Sequence, residues 1–480
     1  MFIGRDYELS SLEESYKTQG SNLVVVYGRR RIGKSHLIRH FAEDKKSFVF
    51  EGLEGAKTTD QISLFVSALQ SQAKGFSVPE AKYTTWVAVF DLLDNYLQTT
   101  KCKTVIVFDE FQWMAQQKTL LVSLVKTYFD NKWSKHKLML ILCGSISTFM
   151  VGKVIHSKAL YGRVNLELQI KVFSPLEAKF FLTKQAGAVK VQDDEILKYL
   201  MVLGAVPKYL AEVRTSESFS KNIDRLCFQK SGFLFQEFEK IFYSQFKEPR
   251  VYRLITEHLS KTQLTLNEIS EKLKMPSGGG LKSYLDNLVT SDFLSQNRVL
   301  SENKNAKLVK YRISDSFLNY YFKYMKSALP LLLNHKSSGY FQRKVEPKYS
   351  PWLGLAFENF CISNATLIAS ILGISDEVIA FGPLIYRDTP GVQVDLAFLR
   401  SQNILTLCEI KYWNQPVGTE IIPEIRKKIA LVESKLSTKK RIEVVLIAPL
   451  GSSKELDQAG FFNQVITLKD IFSPKWKELT

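Results

Sequence analysis

The sequence predicts a multidomain α/β protein, and three observations carry that reading. The chain has 480 residues, and at roughly 150 residues per domain this makes about three domains. Between residues 22 and 143, short apolar runs of strand character alternate with helical stretches, the pattern of a parallel sheet covered by helices. Beyond residue 345 a second alternation begins, with a helix pair, two strands, a helix and further strands.

Residues 22–28, 103–108 and 137–143 are the strands of the first region, with helices at 34–42, 60–73 and 85–96. Residues 175–245 carry no convincing strand and read as short helices with Leu, Phe and Tyr on periodic faces. Then come helices at 252–259, 266–273 and 281–289, the second and third separated by Pro276-Ser277-Gly278-Gly279-Gly280, and two β-like segments at 293–300 and 307–313. The aromatic group Phe317, Tyr320, Tyr321, Phe322 and Tyr324 has helical spacing and reads as core. Residues 336–351 are the linker expected from Ser337-Ser338-Gly339. The last region reads helices at 351–372, strands at 392–400 and 404–411, a helix at 420–436, and strands at 441–448 and 465–468.

Hydrophobic residues make up 45% and charged residues 24%, ordinary globular usage that excludes a disordered chain. Lys plus Arg is 65 and Asp plus Glu is 48, giving a net charge of +17 and pointing to an anionic partner. Five cysteines (Cys102, Cys143, Cys227, Cys361 and Cys408) are scattered and form no CxxC pair, which favours a reducing compartment over a disulfide scaffold or structural zinc. Met-Phe-Ile-Gly-Arg-Asp at the start has no apolar h-region, and no apolar stretch approaches the roughly 20 residues of a membrane helix. A cytoplasmic protein without a membrane segment is expected. His36 and His40 lack the Glu that a zinc-binding HExxH helix needs.

Gly28-Arg29-Arg30-Arg31-Ile32-Gly33-Lys34-Ser35 fits G-x-x-x-x-G-K-[ST] at every defined position. The glycines let the loop wrap so that backbone N–H groups face phosphate oxygens, and the following helix, with His36 in its first turn, points its N-terminus at the anion. Lys34 is placed for the β/γ-phosphates of ATP and the Ser35 hydroxyl for Mg²⁺. Val105-Ile106-Val107-Phe108-Asp109-Glu110 is the expected partner strand. Asp109 would hold Mg²⁺, mainly through water, and Glu110 would orient or deprotonate the attacking water. Ser145 ends the next strand, where its hydroxyl reaches a γ-phosphate or the lytic water. Arg163, in Leu160-Tyr161-Gly162-Arg163, is a candidate to stabilise transition-state charge in cis or in trans.

Together with Phe2-Ile3-Gly4-Arg5-Asp6-Tyr7-Glu8-Leu9, Phe108-Asp109-Glu110-Phe111-Gln112, Cys143-Gly144-Ser145 and Gly204-Ala205-Val206-Pro207-Lys208-Tyr209-Leu210, this loop resembles the archaeal-type ATPases, relatives of the STAND and AAA+ P-loop ATPases. The resemblance spans about residues 1–330. It implies that the opening segment lines the adenine side and that the Gly-x-Pro segment is part of a helical lid touching the nucleotide through Pro207. Ala205 stands where a second Gly is common.

Residues 266–289 resemble a helix-turn-helix, and the two segments after them a wing. Arg298, Lys304, Lys307, Lys310 and Arg312 stand there against only Glu302, a basic hairpin suited to DNA phosphates. Lys282 begins the would-be recognition helix. A protein-interaction module is the plainer alternative.

In the last region, Asp395 sits on one strand and Glu409 and Lys411 on the next, the latter two sharing a face. Hairpin pairing can bring Asp395 beside Glu409, making a Mg²⁺ or Mn²⁺ site, with Lys411 orienting the nucleophilic water. Glu358, upstream on a helix, can add one more acid. The arrangement resembles the PD-(D/E)XK nuclease superfamily over roughly residues 345–470, with Val394 where the nominal Pro stands. A salt-bridge ladder on a hairpin is the alternative. Arg426, Lys427 and Lys428 on the next helix are placed to follow a nucleic-acid backbone, with a plain solvated helix face as the equal alternative.

The expected architecture is α/β multidomain: a P-loop ATPase core of parallel sheet (1–170), a helical lid (171–245), a winged helix-turn-helix (246–335), and a C-terminal restriction-endonuclease-like α/β domain (345–480). The expected function is an ATP-hydrolysing protein controlling a metal-dependent DNA nuclease, with a non-cutting DNA- or protein-binding switch and a remodelling motor as alternatives. DNA is the expected partner, with a protein partner and oligomerisation as further possibilities.

Overall fold

The computed structural model describes residues 2–115, 119–145, 149–155, 157–246, 248–298, 300, 309–334, 338–386 and 389–479. The chain divides into two compact units, Met1–Val172 with Gln245–Lys247, and Phe173–Ser244 with Glu248–Thr480.

The first unit is built on five parallel strands: β1 (Asn22–Gly28), β2 (Ser47–Glu51), β3 (Thr104–Asp109), β4 (Leu138–Ser145) and β5 (Val164–Gln169), in the order β2-β3-β4-β1-β5. The three central strands are buried at every position, which is why they read as continuous apolar runs. Alternate residues feed two separate cores. Leu23, Val25, Ile106, Phe108, Leu140 and Leu142 pack on one face. Val24, Val26, Val105, Val107, Met139 and Ile141 pack on the other, beneath the helix Lys34–Ala42. Strands β2 and β5 are the sheet edges and carry mixed burial, so their sequences lack the apolar run that marks the others.

The second unit opens with helices. Ser174 caps Pro175–Ala186 through a capping box with Glu177, and Pro175 stands in the first turn. Asp193–Leu203, Pro207–Leu210 and Phe219–Ile223 follow. The segment expected as a linker is instead ordered structure where it is described. Residues 341–348 are helical, Phe341 and Val345 are buried, and the buried Asp224 carboxylate accepts N–H bonds from Gly339 (2.8 Å) and Phe341 (2.9 Å). The polar Ser-Ser-Gly punctuation hid the apolar spacing of Phe341 and Val345. Phe317, Tyr320 and Tyr321 are buried, as their helical spacing predicts.

Next come a helix (Pro249–Leu259), β6 (Leu264–Thr265), helices Leu266–Leu273 and Gly279–Thr290, then β7 (Leu294–Arg298) and β8 (Val309–Ile313). The strands form an antiparallel sheet of order β6-β8-β7. Residues 301–308, with Lys304 and Lys307, and the side chain of Arg298 lie outside the described residues.

The chain then forms a mixed sheet of β9 (Val378–Tyr386), β10 (Val392–Arg400), β11 (Ile404–Ile410), β12 (Arg441–Ile447) and β13 (Gln464–Ile466), in the order β13-β12-β11-β10-β9. β9, β10 and β11 are antiparallel, and β11, β12 and β13 are parallel, with the helix Ile422–Lys435 crossing between β11 and β12. The helix Ser350–Ser363 packs on β10 and β11. β9 contains Gly382-Pro383, which breaks the strand pattern in the sequence. Proline is tolerated there because β9 is an edge. Among the described residues no helix is long and apolar enough to cross a membrane.

Candidate functional site

The first site lies at the carboxyl ends of β1, β4 and β3, where parallel sheets present their ligand-binding loops. Gly28 ends β1, and a Cβ there would lie 2.4 Å from the Ile170 carbonyl oxygen, so only glycine lets the loop begin. Arg31 (φ 74°) and Gly33 (φ 88°) are left-handed, which curls the loop before the helix Lys34–Ala42. Lys34 is buried, and its Nζ donates to the Arg29 carbonyl at 3.0 Å and stands 3.5 Å from Ser145 Oγ. Burial pulls its pKa down, partly offset by Cys143, Glu110 and Asp109. An ammonium folded back into its own loop, short of counter-charge, fits a cradle shaped for phosphate.

Arg5 braces the loop from outside. Its guanidinium is buried, pairs with Glu8 at 3.1 Å, and donates to the carbonyls of Ile32 (3.0 Å) and Lys171 (2.7 Å). The opening segment therefore holds the phosphate loop by hydrogen bonds, a role the residue-type reading missed because it depends on carbonyls remote in sequence. Phe2 stacks on His40 with ring centroids 4.3 Å apart and meets His36 edge-on at 5.4 Å. His36 is exposed at the side chain and packs against this ring. Arg30 lies 3.5 Å from Glu54 at the surface. Ser35 is half-buried in the first turn of the helix.

Asp109 is buried at the end of β3, and its Oδ1 accepts the Glu110 N–H at 2.9 Å. Glu110 has φ 47°, a left-handed conformation uncommon outside glycine, asparagine and aspartate. Its carboxylate lies 3.5 Å from Ser145 Oγ and accepts a bond from Gln112. Gly28 and Ser145 are register partners in neighbouring strands. The structure thus brings Lys34, Asp109, Glu110 and Ser145 to one sheet edge.

Arg163 is placed elsewhere. It immediately precedes β5, whose first residue Val164 pairs with Leu23 near the start of β1. Gly28 is five residue steps along the strand from Leu23, roughly 17 Å at about 3.3 Å each. The expected role in cis is therefore corrected: Arg163 stands at the amino edge of the sheet and pairs with Asp130 at 2.7 Å. Pro207 lies in the second unit, in the first turn of Pro207–Leu210 and following Gly204 (φ 65°), which permits the preceding turn.

The second constellation is in the mixed sheet. The β10–β11 ladder ends at the pair Leu396 with Cys408, so Asp395 and Glu409 occupy the next opposed positions. The β9–β10 register shifts between Val394 and Ala397, a bulge that carries Asp395. Asp395 accepts a bond from Gln393 at 3.0 Å. The buried Glu409 carboxylate pairs with Lys411 at 2.8 Å and with Lys428 at 2.8 Å. Lys428 therefore faces inward, where the sequence placed it on a nucleic-acid-facing helix surface. Burial lowers its pKa, but the bond to Glu409 outweighs this and the net shift is upward. Glu358, on the helix Ser350–Ser363, is pushed up to about 7 by burial and by Asp395. Among the described residues no group of three or more His, Cys, Asp or Glu is already arranged as a metal cage.

A parallel β2-β3-β4-β1-β5 sheet with a phosphate loop after β1, acids after β3 and a hydroxyl ending β4 defines a P-loop ATPase. The chain belongs, through residues 2–213, to the family described as an ATPase domain predominantly from Archaea. An uncharacterized protein of Methanocaldococcus jannaschii is 27% identical over 362 residues, 75% of this chain and 76% of that protein. An uncharacterized ATP-binding protein of the same organism is 48% identical over 46 residues, 10% of this chain and 78% of its own length. In fold, the chain is similar to a Walker-type ATPase of Pyrococcus abyssi, with TM-score 0.51 and 20% identity, over 67% of this chain and 96% of that one. ATP is the ligand that this membership assigns to the phosphate loop.

Proposed function

We propose that the chain hydrolyses ATP in its first unit and uses that cycle to control a metal-dependent DNA nuclease in its second. Asp395 opposite Glu409, with Lys411 on the same carboxylate and Glu358 close enough for Asp395 to raise its pKa, is the observation that carries the nuclease reading. Helix, strand, two helices and a hairpin in that order support a winged helix, and the mixed sheet with a crossover helix supports a PD-(D/E)XK-like domain.

The residues fit both metal sites by chemistry. Ser35 and Asp109 would hold Mg²⁺ beside ATP, and Asp395 and Glu409 would hold Mg²⁺ or Mn²⁺ in the second unit. Bound there, the ions supply phosphate charge neutralisation and acidify water. In the first unit Lys34 binds the phosphates, Glu110 takes the water proton, and Ser145 with Gln112 fixes the Glu110 carboxylate. In the second, Lys411 orients the water and offsets charge on the phosphodiester.

A second reading is a nucleotide-operated switch that binds DNA or protein without cutting. It is favoured by Glu409 being engaged by two lysines rather than left open. Incubation with plasmid, linear duplex and single strands, with and without ATP, Mg²⁺ and Mn²⁺, separates the two. Cleavage that needs the divalent ion supports the first reading, and binding without cleavage on all three substrates supports the second.

A further inference from the structure

One buried charge has no role in the chemistry above. Arg312, on β8, is 5% exposed. Its Nη1 donates to the Asn359 side-chain oxygen, its Nε meets no acceptor, and no carboxylate of the described residues pairs with it. Burial pulls its pKa down to about 10, so it remains a cation at neutral pH. An uncompensated buried charge is costly, and natural proteins rarely keep one without a partner.

Arg312 lines a cleft of about 710 Å³. Lys261, Lys310 and Lys323 line it as well, and Lys326, also on the wall, is tied to Glu257 at 2.5 Å. Glu358 and Asp395 belong to the same cleft. Asn359, the acceptor of Arg312, is the chain neighbour of Glu358, so the guanidinium and that acid are linked through one turn of one helix.

We propose that Arg312 is the anchor for a backbone phosphate of a nucleic-acid strand lying in this cleft. The planar guanidinium fork matches phosphate oxygens, and the lysines beside it continue the positive track. An acidic peptide would meet Glu358 and Asp395 as like charges and gain nothing. A phosphodiester differs, because Asp395, with Glu409, would hold the divalent ion that its cleavage needs. The inference rests on the reading that this unit acts on nucleic acid, but not on its cutting.

The test uses the full-length protein in EDTA, with fluorescence anisotropy of labelled single-stranded and duplex DNA across salt concentrations. Arg312→Gln is expected to weaken binding about tenfold to a hundredfold. It should also lower the log–log salt slope by about 0.7 on single strands or 0.9 on duplex. Lys323→Gln, at an exposed position, should lower the slope by one such step without touching the core. Thermal unfolding is read in parallel. Arg312→Gln should melt no lower than wild type, since it removes an unbalanced buried charge. Wild-type affinity and slope in Arg312→Gln overturn the proposal. So does an unfolded Arg312→Gln accompanied by wild-type binding in Lys323→Gln, or displacement of the DNA by poly-glutamate at equal charge. Arg312-dependent binding with no cleavage in Mg²⁺ or Mn²⁺ upholds the anchor while the nuclease reading falls.

Discussion

Lys34 Nζ rests 3.0 Å from the Arg29 carbonyl, and burial weakens its hold on the proton. Phosphate would supply the missing counter-charge, so Lys34→Ala should weaken ATP binding by about 2–5 kcal/mol, roughly 30-fold to several thousand-fold, in a fluorescence titration. Unchanged affinity would remove the phosphate-loop assignment. Glu110 is held differently, by Gln112 and near Ser145, at a left-handed position that aims its carboxylate. Glu110→Gln keeps that shape and removes the base, so binding should persist while turnover falls by about 10²- to 10⁴-fold. Normal phosphate release by this variant moves the base elsewhere. Glu358 makes a pH prediction. Its carboxyl is pushed up from 4.5 to about 7 in the folded protein, by burial first and then by Asp395. Between those values the folded chain binds more protons than the unfolded chain, so this contribution to stability is present below about pH 4.5 and is lost as pH rises through 7. In metal-free protein, Glu358→Gln should therefore flatten the fall in melting temperature across that window. If the two profiles run parallel, Glu358 is ionised in the folded protein across that window and burial does not raise its pKa.

At the scale of elements, the β10–β11 pair carries the chemistry proposed for the second unit. A bulge between Val394 and Ala397 and a ladder that ends beside Glu409 set Asp395 and Glu409 across from each other. Asp395→Ala would take away a proposed metal-binding oxygen and Lys411→Ala the proposed water-orienting cation. Each should abolish DNA cleavage, a loss of at least about 10²-fold, while ATP hydrolysis stays within about twofold of wild type. Identical cleavage by wild type and Lys411→Ala, with either metal, places any activity outside this hairpin. The placement of these residues on their strands and loops is readable in the sequence, because loop spacing, strand-end acids and a Glu-x-Lys pair are local patterns. The hidden parts are tertiary. β2, β5 and β9 are edge strands with mixed burial or an internal proline, so no apolar run announces them. Arg5 reaches carbonyls at Ile32 and Lys171, Lys428 turns onto Glu409 from another element, and Arg163 falls at the wrong end of β5. No spacing rule encodes any of these. The basic hairpin is a mixed case. Lys304 and Lys307 lie outside the described residues, whereas Lys310 and Arg312 are buried along the cleft rather than exposed on a wing.

For the whole molecule, the two sites fall in separate compact units, with the chain crossing at Val172–Phe173 and returning to the first unit only for Gln245–Lys247. Each unit has its own buried core, so ligand at one site need not build the other. Nucleotide can control cleavage only through its differential affinity for two states of the whole chain. ATP at about 100 times its dissociation constant adds about 2.7 kcal/mol to the state that binds it. If that state is also the one that cuts, or the one that does not, cleavage must differ between ATP, ADP and no nucleotide. Lys34→Ala should erase those differences and cut at the nucleotide-free rate in all three conditions, with its dependence on Mg²⁺ or Mn²⁺ intact. Asp395→Ala should show the reverse, normal nucleotide hydrolysis and no cleavage in any condition. Loss of metal-dependent cleavage in a folded Lys34→Ala would mean that the chemistry of the second unit requires phosphate at the first. The sites would then form one coupled machine, and the mixed sheet would no longer be a catalyst that the nucleotide merely gates.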